Sequence, residues 1–381
     1  MNILDELKSL AGETYNIHLK REKATGKPLV GYFCPYLPEE ILHAAGMVPC
    51  RINATGNSGT ARADVYFSPI NCSYVRHLFE KALCREYDFL DGVIFTNGCD
   101  HNKRLYDNWR DARKEHGLSP EFLYLFEVPH MINERAEAKL AREVIKLTEA
   151  ITSNFHAKID EASLSASIAL YNRKRRLLKK VFGKRRCSSL PLTGADMLRL
   201  MLACTTIPPE DACDLLERVD ATIGEPAASG NTKPRILLTG GCFEEPDLIE
   251  MIEECGAEVV ADTFCHGMRY FDMEVDDSIP PYQALATRYI RHASCPRMIN
   301  DFYRRMENLL RLKEDYAADA VIVEKLMFCD LWGGENFLLH QEAKRLGFPI
   351  LTLDRELYGE GKGQRRTRLQ AFFEQISNSR G

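Results

Sequence analysis

Short apolar runs alternate with longer stretches of mixed polarity along almost the whole chain. The runs Leu29–Phe33, Met47–Ile52, Val93–Phe95 and Phe122–Val128 form a first set. Ile236–Leu238, Glu258–Asp262, Ala320–Val323 and Pro349–Leu353 form a second. Their length and their β-branched and aromatic content predict buried strands. Val65–Ile70 reads as one more short strand. The stretches between them predict helices: 1–26, a helix opening with Glu39 and Glu40 and stopped by Gly46, Ser73–Cys84, Asn102–His116, Pro246–Cys255 and Gln364–Ile376. From Asn133 to Arg186 and on to Ala221 the pattern is helical without strands. Strand, helix, strand in this order makes parallel sheets. The fold class is therefore α/β, with two parallel-sheet units joined by a helical segment. The expected division is 1–132, 133–232 (closing in a Gly/Ala/Ser/Pro-rich linker from Gly224 to Pro234) and 233–381. No short tandem repeat occurs.

Both units run apolar strands into cysteines. Asp91-Gly92-Val93-Ile94-Phe95-Thr96-Asn97-Gly98-Cys99-Asp100 is echoed by Asp319–Asp330, which ends Phe328-Cys329-Asp330. Ligands bind at the carboxyl ends of strands in open α/β sheets, so the two stretches predict thiols facing each other across a cleft. Six of the thirteen cysteines follow strand-like runs: Cys34, Cys72, Cys99, Cys242, Cys265 and Cys329. Cys50, Cys84, Cys204, Cys213 and Cys255 fall inside strands or on helix faces and read as packing, while Cys187 and Cys295 sit in loops and are ambiguous. No CxxC pair occurs, which argues against a zinc ribbon, a thioredoxin motif or a ferredoxin-type run. Dispersed thiolates suit soft or borderline metals, and ligands meeting between two sheets fit a [4Fe-4S] cluster better than zinc. A structural protein with zinc or without a cluster is the bland alternative.

Charge narrows the partners. A net charge of −5 gives no reason to expect nucleic acid. The apolar runs are far too short for a membrane span, and the amino terminus is a charged amphipathic start without a signal-peptide core. The expectation is a cytoplasmic protein. Other residues have two readings. His101 and His266 follow cysteines at strand tips and are candidate general acids or ordinary satisfied histidines. Glu335, after Trp332-Gly333-Gly334, is a candidate base or a helix-start charge. The loop Asn53–Arg62 is of the small-residue kind that lines pockets. The basic run Arg173–Arg186 and Gln364–Arg368 are solvated faces or anion sites, for example for coenzyme phosphates. No GxxxxGK[ST] occurs, so any ATP hydrolysis is expected on a partner.

With those residues in view, the chain resembles the benzoyl-CoA reductase / 2-hydroxyacyl-CoA dehydratase family of iron–sulfur proteins. The resemblance runs from about Gly31 to Ile376. It is carried by Gly31-Tyr32-Phe33-Cys34-Pro35-Tyr36-Leu37-Pro38-Glu39-Glu40, Asn71-Cys72-Ser73, Gly98-Cys99-Asp100, Asp262-Thr263-Phe264-Cys265, Phe328-Cys329-Asp330 and Gly363–Arg368. It implies two flavodoxin-like, Rossmann-like domains with an iron–sulfur cluster in the interdomain cleft. It implies Cys72, Cys99 and Cys329 as the ligands of a [4Fe-4S] cluster, beside which His101 and Glu335 remain the candidate acid–base groups read from the residues themselves. The implied activity is ATP-dependent, low-potential chemistry on a CoA thioester. That chemistry is reductive dehydration of a 2-hydroxyacyl-CoA through a ketyl radical, or reduction of an aryl-CoA such as benzoyl-CoA. A separate homodimeric ATP-hydrolysing iron–sulfur activator supplies the electrons. The chain itself is implied to work as a homodimer or a heterodimer with a related subunit. A branch of the family carries a double-cubane [8Fe-9S] cluster and reduces small molecules. Cys34, Cys242 and Cys265 would complete its six ligands. A cluster-binding accessory electron-transfer subunit is a third reading.

Overall fold

The computed structural model describes residues 2–186, 192–224, 233–359 and 361–378. Cys187 and most of the expected linker lie outside them. The first half contains α1 (Ile3–Gly12), α2 (Ile17–Ala24), β1 (Leu29–Tyr32), α3 (Glu39–Ala44), β2 (Val48–Arg51), α4 (Ser73–Leu83), β3 (Gly92–Thr96), α5 (Asp100–His116) and β4 (Phe122–Phe126). Four helices follow: α6 (Glu134–Phe155), α7 (Glu161–Gly183), α8 (Gly194–Thr206) and α9 (Pro209–Ile223). The last part holds β5 (Arg235–Gly240), α10 (Pro246–Glu254), β6 (Glu258–Asp262), α11 (Pro281–Arg291), α12 (Phe302–Asp315), β7 (Ala320–Leu326), α13 (Asp330–Leu346), β8 (Ile350–Arg355) and α14 (Lys362–Asn378).

Each set of four strands makes one parallel sheet, in the orders β2-β1-β3-β4 and β6-β5-β7-β8. Both are the flavodoxin-like order 2-1-3-4, so each sheet has a switch point beside its first strand. The strands are apolar because helices cover both faces. One face of the first sheet packs on α4 and α5 through Val93, Phe95, Leu78 and Trp109. Its other face packs on α6 and α11 through Val30, Ile94, Leu140, Leu147 and Leu285. The second sheet is sandwiched in the same way, with α1, α7, α9 and α12 on one face and α10 and α14 on the other. Two helices therefore pack far from their neighbours in sequence. The amino-terminal α1 joins the core of the second sheet, and α11 joins that of the first.

Local sequence explains most boundaries. Asn2, Asn16 and Asn133 cap α1, α2 and α6 by accepting from first-turn amides, and Asp160 and Thr193 form capping boxes. The Asp160 box is why the expected helix 133–186 is two helices, and Asn16 likewise divides 1–26. Residues 65–70 are not a strand. Ala63–Val65 is a 3-10 turn, and Val65 and Ile70 are 81% and 66% exposed. An apolar run without a neighbouring strand to pair with has no ladder to join. The helix expected from Asn102 starts two residues earlier, at Asp100.

Candidate metal centre

Beyond the carboxyl ends of the strands lies a cavity of about 310 Å³ lined from both sheets. Seven cysteines line it: Cys34, Cys72, Cys99, Cys242, Cys265, Cys295 and Cys329. Cys34 follows β1, Cys99 follows β3, Cys242 follows β5, Cys265 follows β6 and Cys329 follows β7. Cys72 comes from a loop rather than a strand. The six cysteines singled out by sequence therefore converge, and a seventh, Cys295, joins them from the loop after α11. Nothing apolar precedes Cys295, and Pro296 follows it, so strand-tip reasoning had no signal for it.

Cys72, Cys99 and Cys329 share one local design. Each is the residue immediately before a helix, namely α4, α5 and α13. First-turn amides are aimed at each sulfur: those of Tyr74 and Val75 at Cys72, Asn102 and His101 at Cys99, and Trp332 at Cys329. Helix amino termini favour thiolates. Burial nevertheless wins in the bare protein, and each thiol is pushed up to about 12, with the neighbouring sulfurs adding to the rise. A site with amides aimed at three sulfurs that burial and their neighbouring sulfurs keep protonated fits a metal bound through thiolates. Burial also raises Cys34. Cys242 is raised well above the ordinary range, by burial and by donating to Cys265. Cys265 is held well below it by that hydrogen bond and by Arg51 and Arg269.

Buried cations fasten the cysteine loops by their carbonyls. Arg51 donates from Nε to Phe33 O at 3.1 Å and from Nη1 to Cys265 O at 2.5 Å, joining the two sheets. Arg297 holds Gly98 O at 3.4 Å, Arg305 holds Cys295 O at 3.3 Å, and Arg355 holds Cys242 O. His101 lines the same cavity. Its Nδ1 lies 3.0 Å from Asn71 Oδ1 and its Nε2 3.1 Å from Phe328 O, just before Cys329. These groups satisfy buried carbonyls and surround the sulfurs with positive charge, which suits an anionic centre.

Other expectations fall elsewhere. Glu335 does not reach the cysteine cavity. It grips Arg305 bidentately, at 2.6 and 2.8 Å, and lines an adjoining cavity of about 310 Å³ that shares Arg269 and Trp332 with the first. The basic run does not line the cysteine cavity, and its charges are spent on partners within the chain, some buried and others, such as Arg173, Arg176 and Lys180, well exposed. Arg173, Arg176, Lys179, Lys180, Lys184 and Arg186 pair with Glu217, Glu274, Glu274, Asp220, Asp220 and Asp315, while Lys174, Arg175 and Arg185 are buried against Tyr270, Glu40 and the Val259 carbonyl. Arg365 and Arg366 pair with Glu324 and Glu254, and Arg368 donates to Thr352 O. Most of these charges brace the tertiary structure, although Lys179 and Arg186 also line a further cavity of about 280 Å³. The loop from Asn53 is tied down by Tyr87, Lys81 and Glu244 and does not line the cavity.

The pattern of the family described as 2-hydroxyglutaryl-CoA dehydratase, D-component, matches residues 34–376. The chain belongs to that family. The match begins at Cys34 and so includes all seven cavity cysteines. Three relatives align over most of both chains. The beta subunit of (R)-phenyllactyl-CoA dehydratase from Clostridium sporogenes is 24% identical over 370 residues, 94% of each chain. One of the subunits of benzoyl-CoA reductase from Thauera aromatica is 26% identical, covering 90% of this chain and 89% of its own. The beta subunit of lactoyl-CoA dehydratase from Anaerotignum propionicum is 25% identical over 98% of each. Among the described residues, no helix is long and apolar enough to cross a membrane.

Proposed function

We propose that this family member is the iron–sulfur component of an ATP-dependent reductase or dehydratase acting on a CoA thioester. The observation that carries this reading is the convergence of seven cysteines from both sheets on one cavity. Cys72, Cys99 and Cys329, each at a helix amino terminus, would hold a [4Fe-4S] cluster, which supplies one-electron transfer at low potential. Relatives named for dehydratases and a reductase of CoA thioesters support the substrate class. Their names also support a related partner protein. Electrons would come from a separate ATP-hydrolysing activator.

The chain's own residues have clear tasks. The sulfurs lie on a buried wall that limits water, which protects a strongly reducing centre. His101 lies on that wall, its Nδ1 and Nε2 within hydrogen-bond distance of Asn71 Oδ1 and Phe328 O, and is the candidate acid–base group beside Cys99. Arg269 and Trp332 divide the cysteine cavity from its neighbour, which Arg304, Arg305 and Arg311 line; Asp301, Glu335 and Asp315 already pair with them, so a coenzyme arm there would compete with those carboxylates. Glu335 acts through Arg305, holding it against Cys295 O.

A second reading has its own support. Cys34, Cys242 and Cys265 line the same cavity, as a double-cubane [8Fe-9S] cluster reducing small molecules without CoA would need. The test is turnover by anaerobically purified chain, supplied with activator, partner protein and ATP. ATP-dependent conversion of a 2-hydroxyacyl-CoA or aryl-CoA, lost in Cys99→Ala, is the expected result. Reduction of small molecules with no thioester turnover would replace this reading by the second.

A further inference from the structure

His266 is a buried histidine of the cysteine loops that the reading above leaves without a task. It is 1% exposed, and neither ring nitrogen has a hydrogen-bond partner. Burying an unpaired polar group costs about 1–3 kcal/mol, so native proteins rarely leave one without a reason. The ligand atoms of His266, Cys242 and Cys265 all lie within 4.8 Å of one another. The spacing separates two kinds of centre. Ligands on one tetrahedral ion, at about 2.3 Å for sulfur and about 2.0 Å for nitrogen, stand roughly 3.6–3.8 Å apart. Thiolates of a cubane bind different irons and stand farther apart than that.

The loop is also built to hold these atoms in place. Asp262 Oδ1 accepts from the amides of Phe264 and Met268 at 2.9 and 3.0 Å, closing a tight turn around Cys265 and His266. Gly267 completes it, because a Cβ there would lie 1.8 Å from Asp262 Oδ1. Thr263 Oγ1 meets Thr239 Oγ1 of β5 at 2.6 Å, fixing this loop to the strand that delivers Cys242. Arg51 holds Cys265 O at 2.5 Å, and its Nη2 has no partner. A buried guanidinium beside the two sulfurs favours their ionised, metal-binding form.

We infer that Cys242, Cys265 and His266 form a separate site for a single borderline divalent cation, zinc or ferrous iron. Two thiolates and one neutral imidazole are the donors such an ion prefers. Both sulfurs border the cavity, which leaves room for a fourth ligand from water or substrate. The site goes beyond the cluster reading and competes with the double-cubane alternative for Cys242 and Cys265.

The test counts metals and acid-labile sulfide on the full chain, purified without oxygen and incubated with Zn²⁺. The expected result is about one divalent ion per chain beyond the iron matched by sulfide. His266→Ala should lose that ion and keep its sulfide. Cys99→Ala should lose sulfide and keep the ion, so failure of the cluster reading and failure of this one are told apart. X-ray absorption at the zinc edge of the wild type needs no variant, and should show two sulfur and at least one nitrogen neighbours. No ion beyond the cluster iron, retention of the ion in His266→Ala, joint loss of sulfide in that variant, or a zinc shell without sulfur would each overturn the assignment.

Discussion

His77 shows how much a single buried side chain contributes to joining the halves. Its Nδ1 accepts from Asn57 Nδ2 at 2.9 Å, and its ring packs edge-on against Tyr358, with centroids 5.4 Å apart. Burial, reinforced by Arg76, lowers it to about 4. The unfolded chain therefore takes up a proton near pH 6.5 that the folded chain refuses until about pH 4. Stability is full above pH 6.5 and is lost as the pH falls through that window, by up to about 3 kcal/mol. Denaturant melts of wild type and His77→Gln between pH 7 and 4.5 check this. The variant should show the shallower decline, and equal slopes would contradict the assignment. At the same scale, Cys99 and Cys329 were legible because an apolar strand before them and an aspartate after them mark a strand-to-helix junction. Cys295 was not, since its position depends on Arg305 holding its carbonyl and on no local pattern.

At the scale of elements, α7 carries the basic run, and the structure explains why such a run is ambiguous in sequence. Arg175 and Glu40 of α3 are both fully buried and meet at 2.5 Å, with Tyr289 of α11 donating to Glu40 at 2.8 Å. A solvated face and a buried brace have the same composition, and only the packing of α3, α7 and α11 separates them. Arg175→Met leaves a buried carboxylate without its cation, and should destabilise by about 3–5 kcal/mol. Pairing it with Glu40→Gln should recover part of the loss in equilibrium unfolding. No recovery would mean that the arginine acts through packing alone. In the second sheet, the end of β5 admits only glycine. Gly240 has φ +146°, and a Cβ there would lie 2.0 Å from Glu324 O on β7. Gly240→Ala should cost about 1–3 kcal/mol in backbone strain, with a further loss from displacing β7. Thermal melts measure it, and a wild-type midpoint would contradict the account. The strand that sequence placed at 65–70 failed for the converse reason. Its residues were suitable, but they pair with neither edge strand of the sheet, β2 or β4.

At the scale of the whole molecule, two sheets with the same strand order point their carboxyl ends at one cavity, and the fold class followed from the strand–helix alternation alone. Convergence of five of the six cysteines singled out by sequence followed from the same rule about sheet edges, whereas Cys72 arrives from a loop where a strand was expected. What sequence order could not convey was the cross-packing, with α1 in the core of the second sheet and α11 in that of the first. Those contacts link residues far apart in the chain and leave no periodic signature. They matter for function because they fix the two sets of strand tips relative to each other, so that thiols from both can serve one centre. A change that loosens α11 from α3 and α7 should therefore weaken cluster retention without touching a cysteine. Tyr289→Ala, which removes the hydroxyl from Glu40, should lose its iron faster to a chelator than wild type. An unchanged rate would separate the cavity from this packing.

The most direct measurement is acid-labile sulfide per chain on protein purified without oxygen, for wild type and for Cys72→Ala, Cys99→Ala and Cys329→Ala. The account predicts about four sulfides for a single cubane, lost in each variant. About nine sulfides, sensitive also to Cys34→Ala, would move the centre to the double-cubane reading. Absence of sulfide after anaerobic reconstitution would contradict the central claim that these buried thiols are cluster ligands.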